Sequence, residues 1–331
     1  MKRRILTGDR TTGRLHLGHY VGSLQNRVDL QESHETFVLL ADVQALTTHF
    51  ENPALIGRSI LDVALDNLAA GLKLENVCFV QQSRVPAIAE LTVFFSMLVP
   101  VNVLRHNPTI KTEAKQYGFE ELSYGFLGYP VSQAADILFC QADLVPVGED
   151  QLPHLEQAHR IVRRFNELYG GGREILKRPE ALRSRVGRLP GLDGSGKMGK
   201  SLGNALYLND DAKTVHEKVF SAVTDYHRIS SRDLGHPQLC TVYRYQTAFN
   251  PEEAEDICQR CRTGTIGCVA CKRRLEQKLN ELLDPMRARR AAYAQRKDLV
   301  LQAIDEGSRK ACRLGEETLE MVKEAMGLAL G

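Results

Sequence analysis

Four short apolar runs alternate with helical periodicity in the first half of the chain. Arg4–Gly8 reads as an apolar strand entering a Gly-containing turn, and Thr36–Asp42 (TFVLLAD) as a continuous apolar run of strand length. Val77–Gln81 and Leu144–Val147 repeat that pattern. Between them a helix is predicted to begin at Asn52-Pro53, a cap followed by proline at the first helical position, and to stop at Gly71. Its Leu61, Leu65, Leu68 and Leu72 recur at helical spacing. Strands apolar on both faces need helices on both sides, which predicts an α/β, doubly wound parallel sheet.

Leu189–Gly203 (LPGLDGSGKMGKSLG) breaks the pattern, with glycines at 191, 194, 196, 199 and 203. Such a stretch is expected to be a mobile loop. Beyond Asp210 the chain reads as helical. Cys271–Arg296 and Asp298–Leu328 carry long 3.6-residue periods, with Gly307 a point of interruption in the second. The change falls near residues 190–210. The expected organisation is a doubly wound part over 1–205, whose last helix can extend past 205, and an all-α part over 206–331.

The length of 331 residues suits two domains, and 43% hydrophobic with 25% charged residues excludes a disordered or fibrous chain. The longest apolar stretch, Ala87–Leu104, is broken by Glu90 and Pro100, so no membrane span is expected. Met-Lys-Arg-Arg at the start has no apolar segment behind it, so no signal peptide is read and the expected compartment is the cytoplasm. Net charge is only +2, but Cys258–Arg313 holds 14 Lys and Arg against 6 Asp and Glu. That region suits a polyanion; a solvated helical face is the plainer explanation. Of eight cysteines, Cys258, Cys261, Cys268 and Cys271 form C-x2-C-x6-C-x2-C. In a reducing compartment such clustering points to metal or iron–sulfur ligation rather than disulfides.

Two segments carry chemistry. His16-Leu17-Gly18-His19 follows the first strand, where a doubly wound fold binds ligands. A helix starting there aims its amides at phosphates, and two imidazoles one turn apart can donate to phosphate oxygens. Gly18, lacking a Cβ, would let a flat ring lie on the backbone. Alone the motif is weak, since such histidine pairs are also metal ligands or surface residues. Lys197-Met198-Gly199-Lys200-Ser201 sits in the glycine-rich loop, where two lysines can close over a polyphosphate. The two motifs together are specific.

They resemble the signatures of class I aminoacyl-tRNA synthetases, and the chain is most similar to the tryptophanyl branch over nearly its whole length. The resemblance is carried by Thr7-Gly8-Asp9-Arg10 with Gly13, HLGHYVGSL, Ala41–Thr47 (ADVQALT), Tyr129–Leu138 (YPVSQAADIL), Val145–Gln151 (VPVGEDQ), Ser221–Asp225 (SAVTD) and Lys323–Leu328 (KEAMGL). It implies a Rossmann-like core. It implies that His16, Gly18, His19, Gly148, Asp150, Gln151, Lys197, Met198 and Lys200 bind ATP, with His16, His19, Lys197 and Lys200 catalytic. Mg²⁺ would arrive with the nucleotide. Tryptophan would be held by Asp136, Gln133 and Gln151. Asp136 lies in an apolar segment, and a buried carboxylate needs a donor such as an indole N–H. Two departures stand out: Gly199 where serine is usual, and Thr11 and Thr12 where a proline is usual.

Gln133 with Asp136 also fits a tyrosyl-tRNA synthetase, but those place a tyrosine at the end of the first strand, where Leu6 and Thr7 stand. Some tryptophanyl members are similar in carrying C-x22-C-x6-C-x2-C around a [4Fe–4S] cluster. Cys261, Cys268 and Cys271 fit the last three places; the first falls on Gln238, with Cys240 the nearest thiol. The implied ligands are Cys240, Cys261, Cys268 and Cys271. Cys258 is a competitor, and with it zinc is the alternative metal. The implied partners are tRNA(Trp), L-tryptophan and ATP, with a homodimer and no membrane. Arg273, Arg274, Lys278, Arg287, Arg289 and Arg290 are candidate phosphate contacts near the anticodon. A small nucleotidyltransferase or an iron-responsive RNA-binding protein would each share only part of this pattern.

Overall fold

The computed structural model describes residues 2–148, 151–183, 189–196, 198–230 and 233–329. Five strands, β1 (Arg4–Arg10), β2 (Glu35–Ala41), β3 (Val77–Gln81), β4 (Leu144–Val147) and β5 (Glu180–Arg183), form one sheet in the order β3-β2-β1-β4-β5. Every pairing is parallel. The apolar runs are continuous because the sheet is covered twice. Leu6, Phe37, Leu39 and Val80 point into one core, while Val38, Leu40 and Phe79 point into the other.

The first core is filled by the helices Pro86–Ser96, Tyr124–Leu138 and Leu152–Tyr169. The second is filled by the helix Pro53–Ala70 and, from the far end of the sequence, the long helix Cys268–Ala294. The helix Pro53–Ala70 begins and ends as expected. Asn52 accepts from the Leu55 N–H at 3.3 Å, Pro53 follows the cap, and Gly71 ends the helix at φ +121°. Among the described residues no helix is long and apolar enough to cross a membrane.

Three sequence expectations change. β5, only four residues long and charged at both ends, was not anticipated. Gly307 does not interrupt its helix, which runs unbroken over Lys297–Ala325. Its bare Cα instead lets the helix lie on the backbone of β3: a Cβ there would stand 2.1 Å from the Phe79 carbonyl oxygen. Beside it, the Gln81 N–H donates to Ser308 Oγ at 3.0 Å. Finally, Arg287, Arg289 and Arg290 face inward. Arg290 donates to Asp66 at 2.8 Å and to Asp62 at 2.6 Å, and Arg289 to the Ala69 carbonyl at 2.8 Å. Arg287 donates to the Asp210 carbonyl at 2.6 Å. These arginines clamp the long helix to Pro53–Ala70 and its neighbours.

Candidate active site

The turn after β1 and the glycine-rich loop are joined by main-chain hydrogen bonds. Leu17 N donates to Leu206 O at 2.9 Å and Leu208 N to Leu15 O at 3.0 Å, with an antiparallel bridge at His16 and Tyr207. His16 caps the short helix Leu17–His19: its Nδ1 accepts from Gly18 N at 3.1 Å, and His19 Nδ1 accepts from His16 N at 3.2 Å. An Nδ1 that accepts leaves the ring proton on Nε2. Burial, then the nearby His16, Lys200 and Arg27, hold His19 well below the usual histidine range. It is thus a neutral Nε2–H donor at pH 7. The space over Gly18 is already taken, because a Cβ would meet the His16 ring at 2.9 Å. Gly18 therefore makes room for the His16 ring.

Lys200 reaches this turn. Its Nζ donates to Gly13 O at 2.7 Å and lies 3.5 Å from Thr12 Oγ1, so the unexpected threonine supplies a partner for the lysine. Burial pushes the Lys200 ammonium down to about 8, against the opposing pull of Asp9 and Asp66. Met198 is buried and its Sδ lies 3.8 Å from where a Gly18 Cβ would be. Gly199 N donates to Asn204 Oδ1 at 2.9 Å, and Asn204 Nδ2 donates to Asp193 at 3.0 Å and Ser195 at 2.8 Å. Asn204 thus organises the loop, a role its sequence position did not announce. Lys197 and Asp150 lie outside the described residues.

Behind the turn sits a polar scaffold that the motifs did not reveal. Arg27, 1% exposed, grips both oxygens of Asp9 at 2.6 and 3.0 Å and reaches Asn67 Oδ1 at 2.8 Å. Burial alone would raise the Asp9 carboxyl; the Arg27 charge and hydrogen bonds, with Asn67 and Lys200, bring it below its ordinary value. Asp66 accepts from Leu15 N at 2.7 Å as well as from Arg290, tying the turn to the long helix. The apolar surroundings of this scaffold explain why every one of its buried groups is paired.

The other half of the site lies at the carboxyl ends of β2, β3 and β4. Gly148 follows β4 directly, and its carbonyl accepts from Gln151 N at 3.0 Å. Gln133 Nε2 donates to Gln151 Oε1 at 3.3 Å, bringing those two predicted residues together. Asp136, 4% exposed, accepts from Gln82 Nε2 at 2.6 Å through Oδ1. Burial pushes its carboxyl up to about 7, with Gln82 lowering it and Asp42 adding to the rise. Gln82 is a site residue the sequence reading missed; its only signal is a polar Gln-Gln-Ser-Arg run directly after an apolar strand.

The thiols gather elsewhere, in the helical part. Cys240, Cys261, Cys268 and Cys271 line one small cavity of ≈ 20 Å³ with Arg228 and Tyr243. Cys258 is buried but does not line it. Arg228 Nη1 lies 3.9 Å from Cys261 Sγ, and Gln246 Nε2 3.6 Å from Cys271 Sγ. As placed, no set of three or more His, Cys, Asp or Glu side chains among the described residues is arranged to hold a metal ion. Burial pushes the Cys271 thiol up to about 12.

Comparison with known proteins gives the family. The family of tRNA synthetases class I (W and Y) matches residues 1–284. A tryptophan–tRNA ligase of Lactococcus lactis subsp. lactis is 47% identical over 337 residues, covering 99% of this chain and 98% of its own. One from Clostridium longisporum is 45% identical, covering 99% and 97%. Among solved structures, a Campylobacter jejuni tryptophanyl-tRNA synthetase complexed with ADP and tryptophan superposes with a TM-score of 0.81 at 28% identity, covering 98% of this chain and 100% of its own.

Proposed function

The chain belongs to the class I tRNA synthetases for tryptophan and tyrosine, and from that premise we propose that it is a tryptophan–tRNA ligase. It activates L-tryptophan with ATP and transfers the tryptophanyl group to tRNA(Trp). The observation that carries the amino acid is Asp136, a buried carboxylate at the strand ends with one oxygen held by Gln82. An indole N–H is a donor without an acceptor, so a buried acceptor is its proper partner.

In the first step the tryptophan carboxylate attacks the α-phosphate of ATP and pyrophosphate leaves. The nucleophile is already an anion and needs no strong base. What it needs is alignment and relief of the charge that builds where two anions meet. Neutral His19 and the cap residue His16 offer Nε2–H donors at the first helical turn, and Lys200 brings a cation to the same turn. Lys197 is assigned the companion phosphate contact, with Met198 seating the loop. Gly148 and Gln151, with Asp150, are assigned to the ribose and the amino-acid side. Mg²⁺ enters with the nucleotide. In the second step the terminal ribose hydroxyl of tRNA attacks the adenylate carbonyl and AMP departs.

The thiols are assigned to a [4Fe–4S] cluster, with Cys240 rather than Cys258 as fourth ligand. Four thiols on one cavity, with N–H groups of Arg228 and Gln246 near two sulfurs, support that donor set. The cluster would supply structural support to the helical part, 206–331, which holds tRNA beside the catalytic part, 1–205. A cytoplasmic homodimer is the assigned assembly; exposed Val93, Met97 and Val101 offer apolar surface for it. The deciding experiment is pyrophosphate exchange with each amino acid. Exchange driven by tryptophan is expected, and exchange driven by tyrosine alone would overturn the assignment.

A further inference from the structure

Asp136 lies on the helix Tyr124–Leu138, Gln82 just past β3, and Gln44 in the first turn of the helix Asp42–His49. The main-chain N–H of Gln44 donates to Gln82 Oε1 at 2.9 Å, and Gln82 Nε2 donates to Asp136 Oδ1 at 2.6 Å. An amide whose oxygen is taken by an N–H must turn its NH₂ the other way. The start of one helix therefore dictates which end of Gln82 faces Asp136. Gln82 is 2% exposed and Asp136 4%, so water offers neither a substitute partner. With Oδ1 engaged, Oδ2 of Asp136 takes no hydrogen bond among the described residues.

We propose that Gln82 is a positioning residue for tryptophan, turning Asp136 so that Oδ2 is left to accept the indole N–H. This rests on the reading of Asp136 as the indole acceptor. The chemistry is one of protonation state. A protonated carboxyl carries its own donor and pairs poorly with a group that can only donate. Burial raises Asp136, and Asp42 at the start of the neighbouring helix raises it further; Gln82 is the group that pulls it down. Asp42 is itself held by Gln81 Nε2 at 2.9 Å and by Ser83 N and Oγ at 2.9 and 2.6 Å. Loss of the Gln82 donor therefore moves the titration of Asp136 toward higher pH.

The test uses the full chain, which contains no Trp, so the emission of added tryptophan reports its own binding. Gln82→Glu keeps the shape and the acceptor for Gln44 N but exchanges the amide donor for a second carboxyl group beside Asp136; Gln82→Met loses both donor and acceptor. Each is expected to weaken tryptophan binding ~10-fold or more at neutral pH. The midpoint of the pH–affinity curve should move up by about one unit. At saturating tryptophan the loss should appear in the tryptophan KM more than in kcat or the ATP KM. An unshifted midpoint with parallel losses in kcat, ATP KM and Tm would give Gln82 a packing role and overturn the inference. Wild-type binding by the Gln82 variants, with Asp136→Asn defective, would sink this inference alone. Wild-type binding by Asp136→Asn would sink the reading beneath it.

Discussion

Lys200 Nζ rests on the main-chain oxygen of Gly13 at 2.7 Å, so the second lysine of the glycine-rich loop is parked on the turn that leaves β1. Its ammonium is charged below about 8 and neutral above. A lysine lowered by burial loses its charge as pH rises through that value, so the rate of adenylate formation should fall on the alkaline side of it. Lys200→Arg should carry the plateau to higher pH, because guanidinium does not titrate there. Lys200→Ala should cost about 10²- to 10³-fold in single-turnover adenylate formation with little change in tryptophan affinity. Equal losses in both would make the loop merely structural.

As the proposed indole acceptor, Asp136 should link substrate recognition to stability with opposite signs. Its folded value, about 7, lies above the ordinary 3.8, so ionising it costs the folded state. That cost is absent below the ordinary value, grows through the interval and is complete above the folded value. Asp136→Asn should therefore raise unfolding stability at alkaline pH, by up to about 4 kcal/mol, and hardly at all in acid. The same variant should lower tryptophan-dependent exchange ~10²-fold or more. Denaturant unfolding at both pH extremes, run beside the exchange assay, separates the two effects.

Gly18→Ala tests the packing of the turn. The added Cβ would stand 2.9 Å from the His16 ring, which must swing away and lose its bond from Gly18 N. Adenylate formation is expected to fall ~10²-fold. Gly22→Ala, three residues past His19, meets nothing within 4 Å and is the matched control. Similar activity in the two variants would remove His16 from the reaction.

Arg290→Ala leaves Asp66, fully buried, without its cation. The expected loss is about 3–5 kcal/mol in unfolding free energy. Arg290→Met combined with Asp66→Asn should recover much of it. The salt dependence of tRNA binding should not change, because this arginine meets protein carboxylates.

Cys240→Ser should abolish bound iron and labile sulfide in protein prepared without oxygen, while Cys258→Ser should retain both. The structural reason is that Cys240 shares the cavity with Cys261, Cys268 and Cys271, and Cys258 does not. Metal lost only in the second variant would reverse the ligand assignment. Cluster loss should weaken tRNA charging and spare tryptophan-dependent exchange.

The parallel sheet was legible because burial on both faces writes a strand as an unbroken apolar run, as in Thr36–Ala41. β5 had no such run, since Glu180 and Arg183 bound it. His16, His19 and Lys200 were legible as motifs, because their spacing is local. Gln82 was not: it matters only through Gln44 and Asp136, which lie 38 and 54 residues away. Arg290 looked like a phosphate ligand for the same reason. The acids that claim it lie 224 and 228 residues earlier, and a basic helix carries no sign of them.

The glycine that lets Lys297–Ala325 lie on β3 has a consequence for synthesis. β3 is the first-made outer strand of the sheet, and its cover, reaching Gln81 through Ser308, is made 227 residues later. Until that helix leaves the ribosome, the nascent sheet presents an unshielded rim to other chains, the geometry by which strands recruit one another. A message truncated before Gly307 would thus yield aggregates rather than a smaller working enzyme, however complete its first 306 residues.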